Sequence, residues 1–241
     1  MNILEEIFTY ILRLIERFYF AFFYDGRYLA YINGVKNTLI ISLFAVILGT
    51  LIGTLVAVVR FTVKKDSNIF MRAVLKILNL YVTVVRATPV YLQIFIIANL
   101  IFTGRDLEMY AAITCFGINS GAYVSEIIRA GIEAVDRGQM EAGASLGLPS
   151  QVVMASIVLP QAVKNILPAL GNEFIALIKE TAIAGAIAIT DVTKAAQYVG
   201  TKTWDPLPPL FIAAFVYLII VLGLTKLLKV FERRLSTDDN N

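Results

Sequence analysis

The chain has no histidine, one cysteine and one tryptophan, and it is poor in charge. The missing histidine excludes His-based catalytic triads and His metal sites. Cys115 cannot close a disulfide within the chain, and in its apolar stretch it says little about redox compartment. Charged residues make up 16% of the 241 positions, against about 25% in ordinary soluble chains. With 58% hydrophobic residues and a mean hydropathy of +0.75, there is too little charge to cover a soluble surface. The composition therefore points to an integral membrane protein. A net charge of +3 without a dense basic tract argues against a nucleic-acid partner. G-x-x-x-x-G-K-[ST] does not occur, so the chain has no P-loop of its own. No cluster of carboxylates is present either, so no catalytic or metal-binding residues are assigned, and an integral membrane enzyme is the weakest class.

The hydrophobic runs come in order. Residues 1–24 read as an amphipathic interfacial helix, with Phe8, Phe18 and Phe22 on one side and Glu5, Glu6, Arg13, Glu16 and Arg17 interrupting it. The two early glutamates and Arg13 also argue against a signal peptide. Asp25, Gly26 and Arg27 mark a turn. Residues 38–59 carry no charge and are long enough to cross a bilayer. Within them Ala45, Gly49, Gly53 and Ala57 recur every fourth position, which permits close helix packing, within the subunit or between subunits. The run 75–102 breaks at Pro89, giving a helix near one membrane face and a crossing part from residue 89 to 102. Residues 109–125 form a third span, and a fourth hydrophobic stretch follows Pro160. Residues 191–205 read as a loop holding Trp204, and residues 206–225 as a fifth span.

Between the third and fourth spans lies QMEAGASLGLPSQVVMASIVLP, residues 139–160. Gly147 and Pro149 suit a helix stop, and Ser150 suits the cap of a second helix that ends or bends at Pro160. Glu141 suits the first turn of the first helix. The expectation is a short helix, a tight turn and another short helix.

The spacing in this stretch resembles the cytoplasmic loop of bacterial ABC-transporter permeases: Glu-Ala-Ala, three residues, Gly, nine residues, Ile, one residue, Leu-Pro. Glu141, Ala142, Gly143, Gly147, Ile157, Leu159 and Pro160 supply it, with Gly143 departing from the third position. Three further segments resemble the polar amino acid subgroup (the histidine, glutamine and arginine type). These are YVTVVRATPVYLQIF, INSGAYVSEIIRAGIEAV and PQAVKNILPALGNEFIALIKETAIAGAIAITDV. Ala87 departs from a usual Gly, and Ala182 and Ile183 from Ser and Leu.

The resemblance covers residues 34–230. It implies an all-α integral membrane protein of the type I ABC importer permease fold, with five transmembrane helices. Residues 1–33 would be the N-terminal interfacial segment, 139–160 a cytoplasmic helix-turn-helix coupling loop, and 231–241 a cytoplasmic tail. The implied partners are ABC ATPase subunits carrying ATP and magnesium, a second permease subunit, an external amino acid-binding protein and membrane lipid. The chain itself would bind no cofactor. It would form the translocation path of an ATP-driven amino acid importer. A secondary transporter or channel for small polar solutes is the alternative, and it leaves the spaced loop unexplained.

Basic residues orient the chain. The segments 60–76 and 129–164 and the tail hold twelve of the 21 Lys/Arg, and the opposite segments hold seven. The positive-inside rule then puts the N-terminus outside and the C-terminus in the cytoplasm of a bacterial cell. Asn119, Ser120, Gly121, Asn172, Glu173 and Thr181 are polar or small within stretches three and four, and are the candidate substrate path. Glu173 would meet an ammonium or a cationic side chain. A broken helix end near Pro168 or Thr181 would supply donors to a carboxylate. Glu173 and Lys179 could instead form a structural ion pair.

Overall fold

The computed structural model describes residues 3–63, 68–104 and 106–237. Lys64, Lys65 and Arg105, which enter the basic count, lie outside the described residues, as do the last four residues of the tail. Among the described residues all regular structure is helical. In order these are α1 (Ile3–Phe22), α2 (Tyr28–Thr62), α3 (Ile69–Ala87), α4 (Val90–Leu100), α5 (Glu108–Glu133), α6 (Arg137–Ser145), α7 (Ser150–Val153), α8 (Leu159–Glu180), α9 (Val192–Thr203) and α10 (Leu207–Thr237).

The fold is organised around α5, which packs against α2, α3, α4 and α8. Along α2 the small residues at every fourth position form the seam. Ala45 and Ala57 are buried, a side chain at Gly49 would sit 2.7 Å from Ser120 Cβ, and one at Gly53 would sit 2.6 Å from the Val124 side chain. The stripe therefore serves packing within the chain, with no room for a Cβ at its two glycines. On its other side α2 exposes Leu43, Phe44, Ile47, Leu51 and Leu55, a surface suited to lipid.

Among the described residues three helical stretches are long and apolar enough to cross a membrane: Tyr24–Thr62, Ser150–Ile187 and Leu207–Arg234. The bent pair Ile69–Ala87 and Val90–Leu100 makes a fourth. The third expected span lies in α5, which falls short of that apolar standard. Protein surrounds α5, and its Asn119, Ser120 and Ser125 are buried, so it need not be as oily as a lipid-facing helix.

The break at Pro89 is sharp: α3 and α4 meet at 113°. Thr88, before the proline, is extended (φ −110°, ψ 145°), as the proline ring demands. One expectation fails at the other end of the chain. Residues 191–205 are not a loop but hold α9, capped by Asp191, whose carboxylate accepts from Thr193 N and Lys194 N at 2.9 and 3.0 Å. Beyond it α10 continues helical to Thr237. At this end Arg17 of α1 donates to both Asp205 carboxylate oxygens, at 2.6 and 2.8 Å, which holds that carboxyl below its usual range. Trp204 is 92% exposed.

Candidate functional site: a coupling hairpin and a polar path

Residues 139–160 form two helices and a turn, with corrections at each boundary. Asp136, not a residue of the motif, caps α6 by accepting from Gly138 N at 2.6 Å. Glu141 consequently lies beyond the first turn. At the other end Leu148 N donates to Gly143 O and Gly147 N to Ala144 O, at 3.1 and 3.0 Å. This is the paired arrangement that closes a helix on a left-handed residue, and Gly147 has φ +75°. Ser150 is the first residue of α7 rather than its cap; Pro149 holds the cap position without a side-chain bond. The second helix does not stop at Pro160. It widens into a π-helical segment, Met154–Val158, and continues as α8. The wider turn accommodates the missing N–H and the ring of Pro160.

Gly143 is buried, and a side chain there would come 2.5 Å from Val153 Cγ2. Its smallness joins the two arms of the hairpin rather than offering a face to a partner. Glu141, Ala142, Gly147, Leu159 and Pro160 are exposed, and Ile157 is half-buried. Around the turn Leu146 is 79% exposed, with Leu148 and Val152 also open. The motif spacing does not name these three; the signal was the pair of leucines flanking Gly147.

The six path candidates do not converge. Ser120 is fully buried and its hydroxyl donates to Glu173 Oε1 at 2.8 Å, joining α5 to α8. Asn119 donates from Nδ2 to Gln93 Oε1 at 3.0 Å, joining α5 to α4. Gly121 faces Ile52 and the Tyr81 hydroxyl, and serves packing. Asn172 is exposed and donates to Pro168 O at 3.1 Å. The Thr181 hydroxyl is buried and donates to Ile178 O at 2.8 Å. α8 runs unbroken through Pro168, so no helix end opens there. Among the described residues no ion pair joins Glu173 to Lys179, which is exposed. Glu180 instead follows Glu173 by seven residues, on the same helical face.

Two groups went unrecognised in the sequence. Gln93 Nε2 donates to Val85 O, Thr88 O and Thr88 Oγ1 at 2.8, 3.1 and 2.8 Å, tying together the elbow between α3 and α4. Glu126 pairs with Arg129, three residues on, at 2.9 Å. It also accepts from Arg60 at 2.6 Å and lies 3.8 Å from Arg86. A single carboxylate of α5 thus bonds the end of α2 and faces the end of α3. These partners lie far apart in the chain, and nothing in their local spacing announces them.

The family described as binding-protein-dependent transport system inner membrane component matches residues 49–237. A putative glutamine transport system permease protein of Rickettsia felis is 40% identical over 207 residues, covering 85% of this chain and 92% of that protein. The arginine transport system permease protein of Bacillus subtilis is 39% identical over 212 residues, covering 86% and 93%. Among solved structures, a chain of an amino acid ABC transporter crystallised with histidines superposes with a TM-score of 0.77 at 39% identity, covering 85% of this chain and 94% of that one. A chain of the inward-facing MetNI methionine ABC transporter has a TM-score of 0.73 at 16% identity, covering 88% and 98%; this likeness bears on fold alone.

Proposed function

The chain belongs to the family of binding-protein-dependent transport system inner membrane components, and from this we propose that it carries polar or cationic amino acids. It is the membrane-spanning subunit of an ATP-driven importer, and hydrolysis belongs to separate ATPase subunits. The amino acid reading is supported by relatives named for glutamine and arginine transport. It is also supported by Glu173, a carboxylate set between membrane helices that accepts from the Ser120 hydroxyl. An ammonium or a guanidinium would complete that carboxylate's neighbourhood.

In this proposal two permease subunits pair across the translocation path, and the permease domain spans residues 34–230 with five crossings. The N-terminus is outside, residues 1–33 lie at the membrane interface, and the C-terminal residues 231–241 are in the cytoplasm. A binding protein delivers substrate from the outer side. The hairpin of residues 139–160 docks on the ATPase through Glu141, Ala142, Gly147, Ile157, Leu159 and Pro160. Gly143 supports it from within. The observation that carries the docking is the exposed apolar tip, Leu146 with Leu148 and Val152, on a turn locked by two backbone hydrogen bonds. An apolar tip on an aqueous side invites a partner. Alternating access would then follow from ATP-driven rocking of the subunits.

The test is uptake by the complete complex in proteoliposomes, scanned over the amino acids with and without ATP. ATP-dependent accumulation of glutamine, arginine or a similar amino acid is expected. Uptake that persists without the ATPase subunits would overturn the coupled reading in favour of a channel.

A further inference from the structure

Along α3, Arg72, Lys76, Asn79, Thr83 and Arg86 recur at spacings of four, three, four and three. They therefore share one helical face. A second face exposes Ile69, Phe70, Ile77, Leu80 and Val84, and a third packs Leu78, Tyr81, Val82 and Val85 towards α2 and α5. A polar stripe on a membrane helix is costly against lipid and belongs against water or protein.

The stripe ends in a cleft of about 560 Å³ lined by Asn79, Thr83 and Arg86 of α3, Tyr123 and Glu126 of α5, and Arg60 of α2. Glu126 is well supplied there: Arg60 donates at 2.6 Å and Arg129 at 3.1 and 2.9 Å. Arg86 is not. It reaches Glu126 only at 3.8 Å, beyond hydrogen-bond distance, and its guanidinium lies 5.2 Å from the centre of the Tyr123 ring. The planar donor edge of Arg86 has the fork geometry that takes a carboxylate with two bonds. Thr83 and Asn79, one and two turns back along the same face, bring side-chain oxygens that can accept from an ammonium.

We propose that this cleft is a second subsite for the transported amino acid, with Arg86 holding the α-carboxylate and Asn79 and Thr83 the ammonium. The proposal rests on the amino acid reading above. The site's mixed charge selects the ligand chemistry. A phosphate would meet Glu126 and a divalent cation would meet two arginines, whereas a zwitterion offers its carboxylate to Arg86 and its ammonium to the neutral oxygens of Asn79 and Thr83. Glu126 lies six residues beyond Ser120 on α5, about 9 Å along the helix axis, with Tyr123 midway. The subsite therefore receives substrate after the Glu173–Ser120 pair, on the side where the basic segments lie.

The test uses the intact transporter with its ATPase subunits, in nanodiscs without nucleotide. The probes are L-arginine and L-glutamine, each set against its decarboxylated counterpart, agmatine or 4-aminobutanamide. For whichever amino acid the wild type imports, binding is expected to exceed that of the counterpart by about tenfold, the scale of a charge-assisted bonded pair. Arg86→Gln should erase that preference and leave the counterpart's affinity unchanged, and Arg86→Lys should keep part of it. If Arg86→Gln keeps the preference, or weakens both ligands alike, the subsite is refuted. Should Arg86→Gln not co-purify with the ATPase subunits, an unaltered preference in Arg86→Lys refutes it equally. A wild type that shows ATP-driven uptake but fails these tests leaves the amino acid reading standing. A wild type that imports no amino acid overturns that reading and the subsite with it.

Discussion

Asn119 donates to Gln93 across 3.0 Å, and the same Gln93 amide donates to three oxygens of the elbow between α3 and α4. One side chain thus caps a broken helix and anchors it to the central helix. Gln93→Leu removes both functions, stranding the buried Asn119 amide and the elbow carbonyls. An unsatisfied buried group, here the Asn119 amide, costs about 1–3 kcal/mol. The expected outcome is a lower thermal midpoint of the detergent-purified complex and faster hydrogen exchange in residues 85–93. Unchanged exchange there would show that Pro89 alone sets the bend.

At the hairpin, Gly147 has φ +75° and open space around the position a side chain would occupy. Any cost of substitution is therefore backbone strain, about 1–2 kcal/mol for an ordinary L-residue and more for a β-branched one. Gly147→Val should abolish ATP-driven uptake while membrane insertion persists. Gly147→Asn should largely retain it, because asparagine tolerates the left-handed region. Normal coupled transport by the Val variant would count heavily against docking through this turn.

Glu173→Gln keeps size and leaves an oxygen for the Ser120 hydroxyl, but removes the charge. Assembly should be normal, and the KM for a cationic or polar amino acid should rise by about tenfold, the scale of one charge-assisted bond. An unaltered KM would make Glu173 a structural tie between α5 and α8.

For topology, a cysteine placed at Ser236 should react with an impermeant reagent only after permeabilisation, as a cytoplasmic C-terminus requires. The native Cys115 is buried and gives a low background. Labelling in intact cells would reverse the orientation.

Much of the architecture is legible along the chain because helix breaks and caps are local events. Pro89 forces Thr88 into an extended conformation and produces the elbow, and Gly147 supplies the left-handed turn, each acting through its own backbone. The scarcity of charge and the uncharged runs determine by themselves that the chain is built for a bilayer, since lipid cannot solvate what water can. Position within the fold is another matter. Asp191 buried as a cap turns an expected loop into α9, and a π-helical segment carries the chain through Pro160 where an end or a bend was expected. The use of Gly49 and Gly53 depends on α5 lying against them, and Glu173 meets Ser120 across 53 positions of sequence. Arg60 finds Glu126 across 66. Only the packing of α2, α3 and α8 around α5 decides those partners, because a side chain's spacing in sequence says which helical face it occupies but not which helix that face will meet.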